Sequence, residues 1–412
     1  MPDSQQKIKS TMHVLWLVPF IMVLGNSMLI PVLPQIQKAL HINLFKVGLL
    51  ITFFSIPAGI VIPFAGLISD RTGRKVIMVP AIFIYGIGGL LAGLSALLFK
   101  NKSYPFILIS RVIQGIGAGG TYQLAMALVG DLIQSSKRAQ ALGFLEAANG
   151  LGKVVSPVAG ASIALIAWYM PFFVYGFLAI PIAVLIWIFA RESSDKKQSL
   201  PLKQYFQGLV QVAKEKGAGL LIAFWGGMVV LFSLFGLLSL LSDYLERQCK
   251  IGLFSCGLII AVPVLFMSVT SYIFGTILQK KLTRFLKWNV SIGLLFSLTG
   301  LVLYSFLKGP VALTAAVSIL GIGTGSVLPA LNTIITSATP KTERGLVTSL
   351  YGSVRFFGVA VGPPFFGFTE KIGLAKILLP VAGVVLLIAV LSFFFINAQK
   401  MLPQELKNSG AQ

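Results

Sequence analysis

The chain has 412 residues, 56% hydrophobic and 11% charged, with a net charge of +21. A soluble domain carries about 25% charged residues, so this chain lacks the polar groups to cover a surface in water; a bilayer is the solvent that fits. The cationic excess, which would point to nucleic acid in a soluble protein, is assigned to the membrane surface, and no nucleic-acid partner is expected.

A helix that crosses a bilayer needs about 20 apolar residues and satisfies its own backbone there. Apolar stretches of that length follow one another at 13–35, 47–69, 76–99, 105–130, 141–165, 169–190, 218–243, 254–278, 288–307, 311–335, 346–369 and 374–397. The run from Val154 to Ala190 is too long for one span. Trp168 to Pro171 divides it, with aromatics suited to an interface and a proline suited to a helix start. The first run has no small-residue cleavage pattern after it and reads as a helix rather than a removable signal. The expectation is an all-α integral membrane protein of twelve transmembrane helices.

Twelve spans put both termini on one side. That side would carry 21 of the 33 lysines and arginines, the other side nine, and three would lie within spans. Cytoplasmic loops hold the cationic excess, so both termini are expected in the cytoplasm and the protein in the cell (plasma) membrane. The prediction leans on the central linker, which supplies six of those cations. Compact loops suggest a bacterial source.

The two halves share a pattern. The hexapeptide GIGAGG begins at Gly115 and GIGTGS at Gly321, an offset of 206 that also carries Arg138 onto Arg344, Gly152 onto Gly358 and Pro157 onto Pro363. Glycine alone would recur in any close-packed membrane protein; the paired arginines and prolines argue for duplication. We therefore expect two pseudo-symmetric six-helix bundles, 1–190 and 218–412. The polar segment 191–217 would be a cytoplasmic linker, with a short interfacial helix within 202–216. Transporters are often built from such repeats, with the substrate site near the midplane. Gly152, Ser156 and Gly160 form a small-residue stripe that lets helices approach. Pro157, Gly358, Gly362 and Pro363 are assigned to packing with them.

Charge is dense between the second and third spans. Gly66 to Lys75 holds Asp70, Arg71, Arg74 and Lys75, and the spans on either side are uncharged. Gly73 suits a tight turn, Asp70 could meet a neighbouring helix N-terminus, and the cations could pair with Asp131. Gly66, Asp70, Arg71, Gly73, Arg74 and Lys75 resemble the loop motif of the major facilitator superfamily, with Ile68 where its leucine stands. Arg111 to Gly119 resembles that superfamily's fourth-helix motif. Gly143, Gly152, Pro157 and Gly160 resemble the fifth-helix motif of its proton-driven exporters, with Ser156 and Ala161 in place of glycines. The resemblance covers the whole chain and implies the major facilitator fold. It also implies a conformational latch at the loop, joined by Asp131 and Arg138, against the simpler reading of cytoplasmic anchoring. The first helix departs from many drug exporters in having no acid; Asn26 is what it offers.

Four ionisable residues fall within spans: Arg111, Glu146, Lys153 and Arg355. A charge at the bilayer centre costs at least about 2.5–3.5 kcal/mol, so such residues face a partner or a cavity, unless they lie near a helix end and snorkel. Glu146, Asn149 and Lys153 share one helix face, and Arg355 falls on Asn149 by the repeat offset. Glu146 is the candidate proton carrier. Desolvation favours a neutral carboxyl and a nearby cation an ionised one; a static ion pair is the plainer alternative. Asn26, Gln114, Tyr122, Gln123, Asn149 and Asn332 are candidates to line a substrate cavity, each with an interhelical hydrogen bond as its alternative.

The sequence holds two cysteines and two histidines, so neither a disulfide framework nor a metal site is expected. No phosphate-binding loop of the ATPase type is present, and no cofactor or enzymatic activity is expected. The leading expectation is a monomeric secondary transporter that exports a small amphiphilic compound in exchange for protons. An uptake symporter or lipid flippase on the same fold remains open. A non-transporting receptor is disfavoured by the short ends.

Overall fold

The computed structural model describes residues 11–133, 137–192, 202–280, 286–338 and 344–396. Among them the chain is helical, with no strand. Twelve long helices follow in order: α1 Thr11–Leu40, α2 Leu44–Thr72, α3 Arg74–Phe99, α4 Tyr104–Leu132, α5 Lys137–Ala164, α6 Met170–Phe189, α7 Gly217–Gln248, α8 Leu253–Lys280, α9 Leu286–Phe306, α10 Pro310–Ala338, α11 Arg344–Gly367 and α12 Leu374–Phe395. Eleven are long and apolar enough to cross a membrane. The remaining one, α5, has the length but carries Glu146, Asn149, Lys153 and Ser156. Its polar face dilutes its hydropathy.

Local chemistry sets the helix details. Pro31 and Pro34 lack the amide hydrogens that an α-helical ladder needs, and α1 tightens to a 3-10 turn at Ile30–Val32. Asn43 caps α2, its Oδ1 accepting from the Lys46 amide at 2.9 Å. The helix of α4 breaks at Gly120–Thr121 into Tyr104–Gly119 and Tyr122–Leu132. The Thr121 hydroxyl donates to the Ala118 carbonyl at 2.7 Å and satisfies one group freed by the break. Residues 202–216, where a short interfacial helix is expected, are helical and continuous with α7. Helix runs unbroken from Leu202 to Asp243 into α7, because Gly208, Gly217 and Gly219 each cost only about 1 kcal/mol in a helix and no proline interrupts.

The chain divides into two compact units, residues 1–199 with 250–261 and residues 200–249 with 262–412. In the first, α1 packs on α5, α2 on α4, and α3 on both α4 and α6. In the second, α7 packs on α11, and α9 on both α10 and α12. The glycines reveal the repeat at atomic level. A Cβ on Gly115 would strike the Phe54 carbonyl of α2, and one on Gly117 the Tyr85 backbone of α3. Likewise, a Cβ on Gly321 would strike the Pro263 carbonyl of α8, and one on Gly323 the Gly293 carbonyl of α9. Gly160 lies against Met28 of α1, as Gly358 and Gly362 lie against Met228 and Phe232 of α7. These contacts make each half the counterpart of the other.

The outer surfaces are apolar. Phe64, Leu98, Ile166, Trp187, Tyr272 and Phe394 are each more than half exposed. Such a surface is stable only in lipid.

Candidate functional site

The first unit holds a fully buried guanidinium. Arg111, in the second turn of α4, is 0% exposed. Its Nε donates to the Leu50 carbonyl at 3.0 Å, and Nη1 to the Gly25 carbonyl at 2.9 Å and to Gln114 Oε1 at 2.6 Å. Nη2 donates to Asn26 Oδ1, and Asn26 Nδ2 donates to Ser55 Oγ at 2.9 Å. The Phe54 ring lies 4.4 Å from the guanidinium carbon. The partners are neutral dipoles drawn from α1, α2 and α4, and no carboxylate pairs with Arg111 among the described residues. Asn26 and Gln114 therefore belong to this buried cluster and not to an open cavity. Tyr85 of α3 adds a hydrogen bond to the Ile21 carbonyl of α1 at 2.9 Å. Arg111 thus ties three helices together at one point.

Below the break in α4, Tyr122 meets α5. Its hydroxyl donates to Glu146 Oε1. Glu146 is exposed, not buried as its place in a span suggests. Arg111 is engaged elsewhere, so Glu146 is not held by it. Asn149 is 5% exposed, and Lys153 and Gln123 are half-buried. Small residues of α5 lie against α1. Gly152 faces Phe20 of α1, Gly160 faces Met28, and the Ser156 hydroxyl is folded back onto the Gly152 carbonyl.

At the end of α2 the charged loop forms a network around Arg74. Arg74 pairs with Asp70 and, through Nε, with Asp131 Oδ2 at 3.2 Å. Its Nη1 donates to Ser69 Oγ at 2.7 Å and to the Gly66 carbonyl at 3.4 Å. Lys75 lies over the Trp187 ring at 5.2 Å, and Arg71 is exposed. Arg138 lies outside the residues whose side chains are described. The sequence points to Asp70 as the carboxylate for a helix N-terminus, but the one at the N-terminus of α3 is Glu192. Its two oxygens accept from the Arg74 amide at 2.9 Å and the Lys75 amide at 2.7 Å. Gly73 at φ +110° has no side chain to cap the helix, and a Cβ there would lie 2.9 Å from a Glu192 oxygen. Glycine thus supplies both the backbone angle and the space, and the anion sits where the helix dipole favours it. The 118-residue separation between Arg74 and Glu192 hides this contact from any local reading.

In the second unit, Arg355 is half-buried on α11 and lies over the Tyr351 ring at 5.5 Å. Asn332 is half-buried on α10, its backbone carbonyl accepting from Thr336 at 2.7 Å. At one end of α7, Arg247 binds Glu370 at 2.7 Å and Asp243 at 3.4 Å. This ion cluster has no counterpart among the sequence-based candidates.

Two repeated helical units, apolar outside and charged within, define a polytopic membrane transporter. The chain belongs to the Major Facilitator Superfamily, which it matches over residues 15–363. It is 37% identical to the bacillibactin exporter of Bacillus subtilis (strain 168) over 85% of this chain and 87% of that protein. It is 28% identical to multidrug resistance protein 1 of the same organism, over 88% and 91% of the two chains. A solved structure of a bacterial homologue of the human lysosomal transporter Spinster, inward-facing and unoccupied, superposes with a TM-score of 0.74 at 19% identity. It covers 96% of this chain and 98% of the other.

Proposed function

We propose that the protein exports a small amphiphilic compound in exchange for protons, by alternating access, from the plasma membrane of a bacterium. The observation that carries this reading is the match along most of both chains to the bacillibactin exporter, with multidrug resistance protein 1 beside it. An inward proton supplies about 2.3 kcal/mol per 100 mV of potential, which can drive a substrate outward.

In this reading the protein works as a monomer of two six-helix bundles, 1–190 and 218–412, joined by a cytoplasmic linker, with both termini in the cytoplasm. Glu146 carries the proton. Its support is that it is the one acid well inside a span, that it is exposed, and that the Tyr122 hydroxyl donates to it. Gln123, Asn149, Lys153 and Asn332 contribute to the substrate path, and Arg111 with Asn26 and Gln114 fixes the helices around it. Asp70, Arg74, Asp131 and Glu192 form the latch that one conformation makes and another breaks.

The test is retention of a panel of aromatic amphiphiles in a bacterial strain lacking its major pumps. Cells expressing the protein should hold less of at least one compound, and a protonophore should erase the difference. Greater retention in expressing cells would establish uptake instead.

A further inference from the structure

We infer that α11 carries a subsite for an oxyanion, so that the exported compound bears an acidic group; this rests on the export reading above and names its substrate class. Three donors line one face of α11 at helical spacing: Thr348, Tyr351 and Arg355. None of the three polar atoms concerned, Thr348 Oγ1, Tyr351 Oη and Arg355 Nε, has a hydrogen-bond partner, although each atom is buried. Tyr351 is 1% exposed, and its ring is clamped by Phe224 at 5.6 Å and by the glycine surface of α7 at Gly227. The hydroxyl is therefore held in place with no acceptor.

A buried polar atom without a partner asks for an explanation, and of those among the described residues these three share one face of one helix. All three can donate a hydrogen bond. A guanidinium donates only, and both hydroxyls have a hydrogen to give. An oxygen of a carboxylate, phenolate, sulfonate or phosphate entering from outside the protein would accept from all three.

The charge balance of the spans points the same way. Of the four ionisable residues well inside them, three are cations and one is an acid. Arg111 makes four hydrogen bonds to neutral dipoles. Arg355 is not: its contact is the Tyr351 ring, and no carboxylate lies within 4 Å of it among the described residues. A cation in a low-dielectric setting attracts an anionic ligand far more strongly than it would in water. The first helix, moreover, offers Asn26 and no acid that would attract a cationic compound.

The experiment compares two xanthene dyes of opposite charge, fluorescein and pyronin Y, binding to the purified full chain in detergent by fluorescence anisotropy. Wild type should bind fluorescein more tightly than pyronin Y. Arg355→Gln should reduce that preference about tenfold, the loss of one charge-assisted contact. Arg355→Lys should keep part of it, and Tyr351→Phe should weaken fluorescein alone. Equal or tighter binding of pyronin Y, no binding of fluorescein, or an unchanged ratio in Arg355→Gln would overturn the inference. If Arg355→Gln does not purify as a monodisperse species, the wild-type ratio and Arg355→Lys decide. The cellular retention assay separates the two readings. A protein that lowers pyronin Y retention without preferring fluorescein remains an exporter and loses the anion subsite.

Discussion

At Arg111 the membrane's intolerance of an unpaired charge is met without a counter-ion. Four hydrogen bonds from three helices to neutral oxygens replace water around the guanidinium. Lysine has the charge but not the planar fork that reaches those acceptors. Arg111→Lys should therefore leave acceptors unpaired and lower the thermal midpoint of the purified protein. Arg111→Met should leave the same neutral acceptors unpaired, at about 1–3 kcal/mol for each that finds no other donor, and deplete the protein from membranes. Glu146 is a different kind of residue, reached by one hydroxyl and otherwise exposed. Glu146→Gln should abolish pH-driven transport while substrate exchange across proteoliposomes continues; loss of both would point to a substrate-binding role. Glu192 is a capping anion. Glu192→Ala should lower stability by about 1–2 kcal/mol, read as a fall in the same thermal midpoint, whereas Glu192→Asp should recover part of it if the shorter carboxylate still reaches the Arg74 amide.

Elements meet in this protein where side chains are absent. Gly117 against α3 and Gly323 against α9 are equivalent positions in the two units, so Gly117→Val and Gly323→Val should each cost about 1–3 kcal/mol by overpacking. Similar losses in melting temperature would support structural equivalence; a tolerated valine at either site would contradict the contact. This scale is also where sequence and structure agree best. Hydropathy runs mark the helices because lipid leaves the backbone no alternative, and the GIGAGG repeat marks the close approaches because few other residues fit there. The misses are physical as well. The GIGAGG segment ends in a break of α4 at Gly120–Thr121, whereas the matching GIGTGS segment runs through α10 unbroken. A glycine that reads as a linker boundary, Gly217, continues a helix. Whether Glu146 is buried depends on how α4 and α5 pack, and the Glu192 cap joins segments far apart in sequence. Neither leaves a periodic trace.

For the molecule as a whole, the loop network around Arg74 should matter to transport more than to folding. Asp70→Asn should leave the amount of protein in the membrane unchanged and slow substrate export severalfold; normal export at normal abundance would show that the network only anchors the loop. The cationic excess on one side should likewise place both termini in the cytoplasm, where tag-directed antibodies reach them only after cells are permeabilised. The central claim is coupling itself. In everted vesicles energised to acidify their interior, followed with a fluorescent pH probe, adding a compound whose cellular retention the protein lowers should release protons outward as the compound enters. Vesicles with the Glu146→Gln variant should hold their gradient. A wild-type gradient that does not change while the compound accumulates would contradict proton exchange as the driving force.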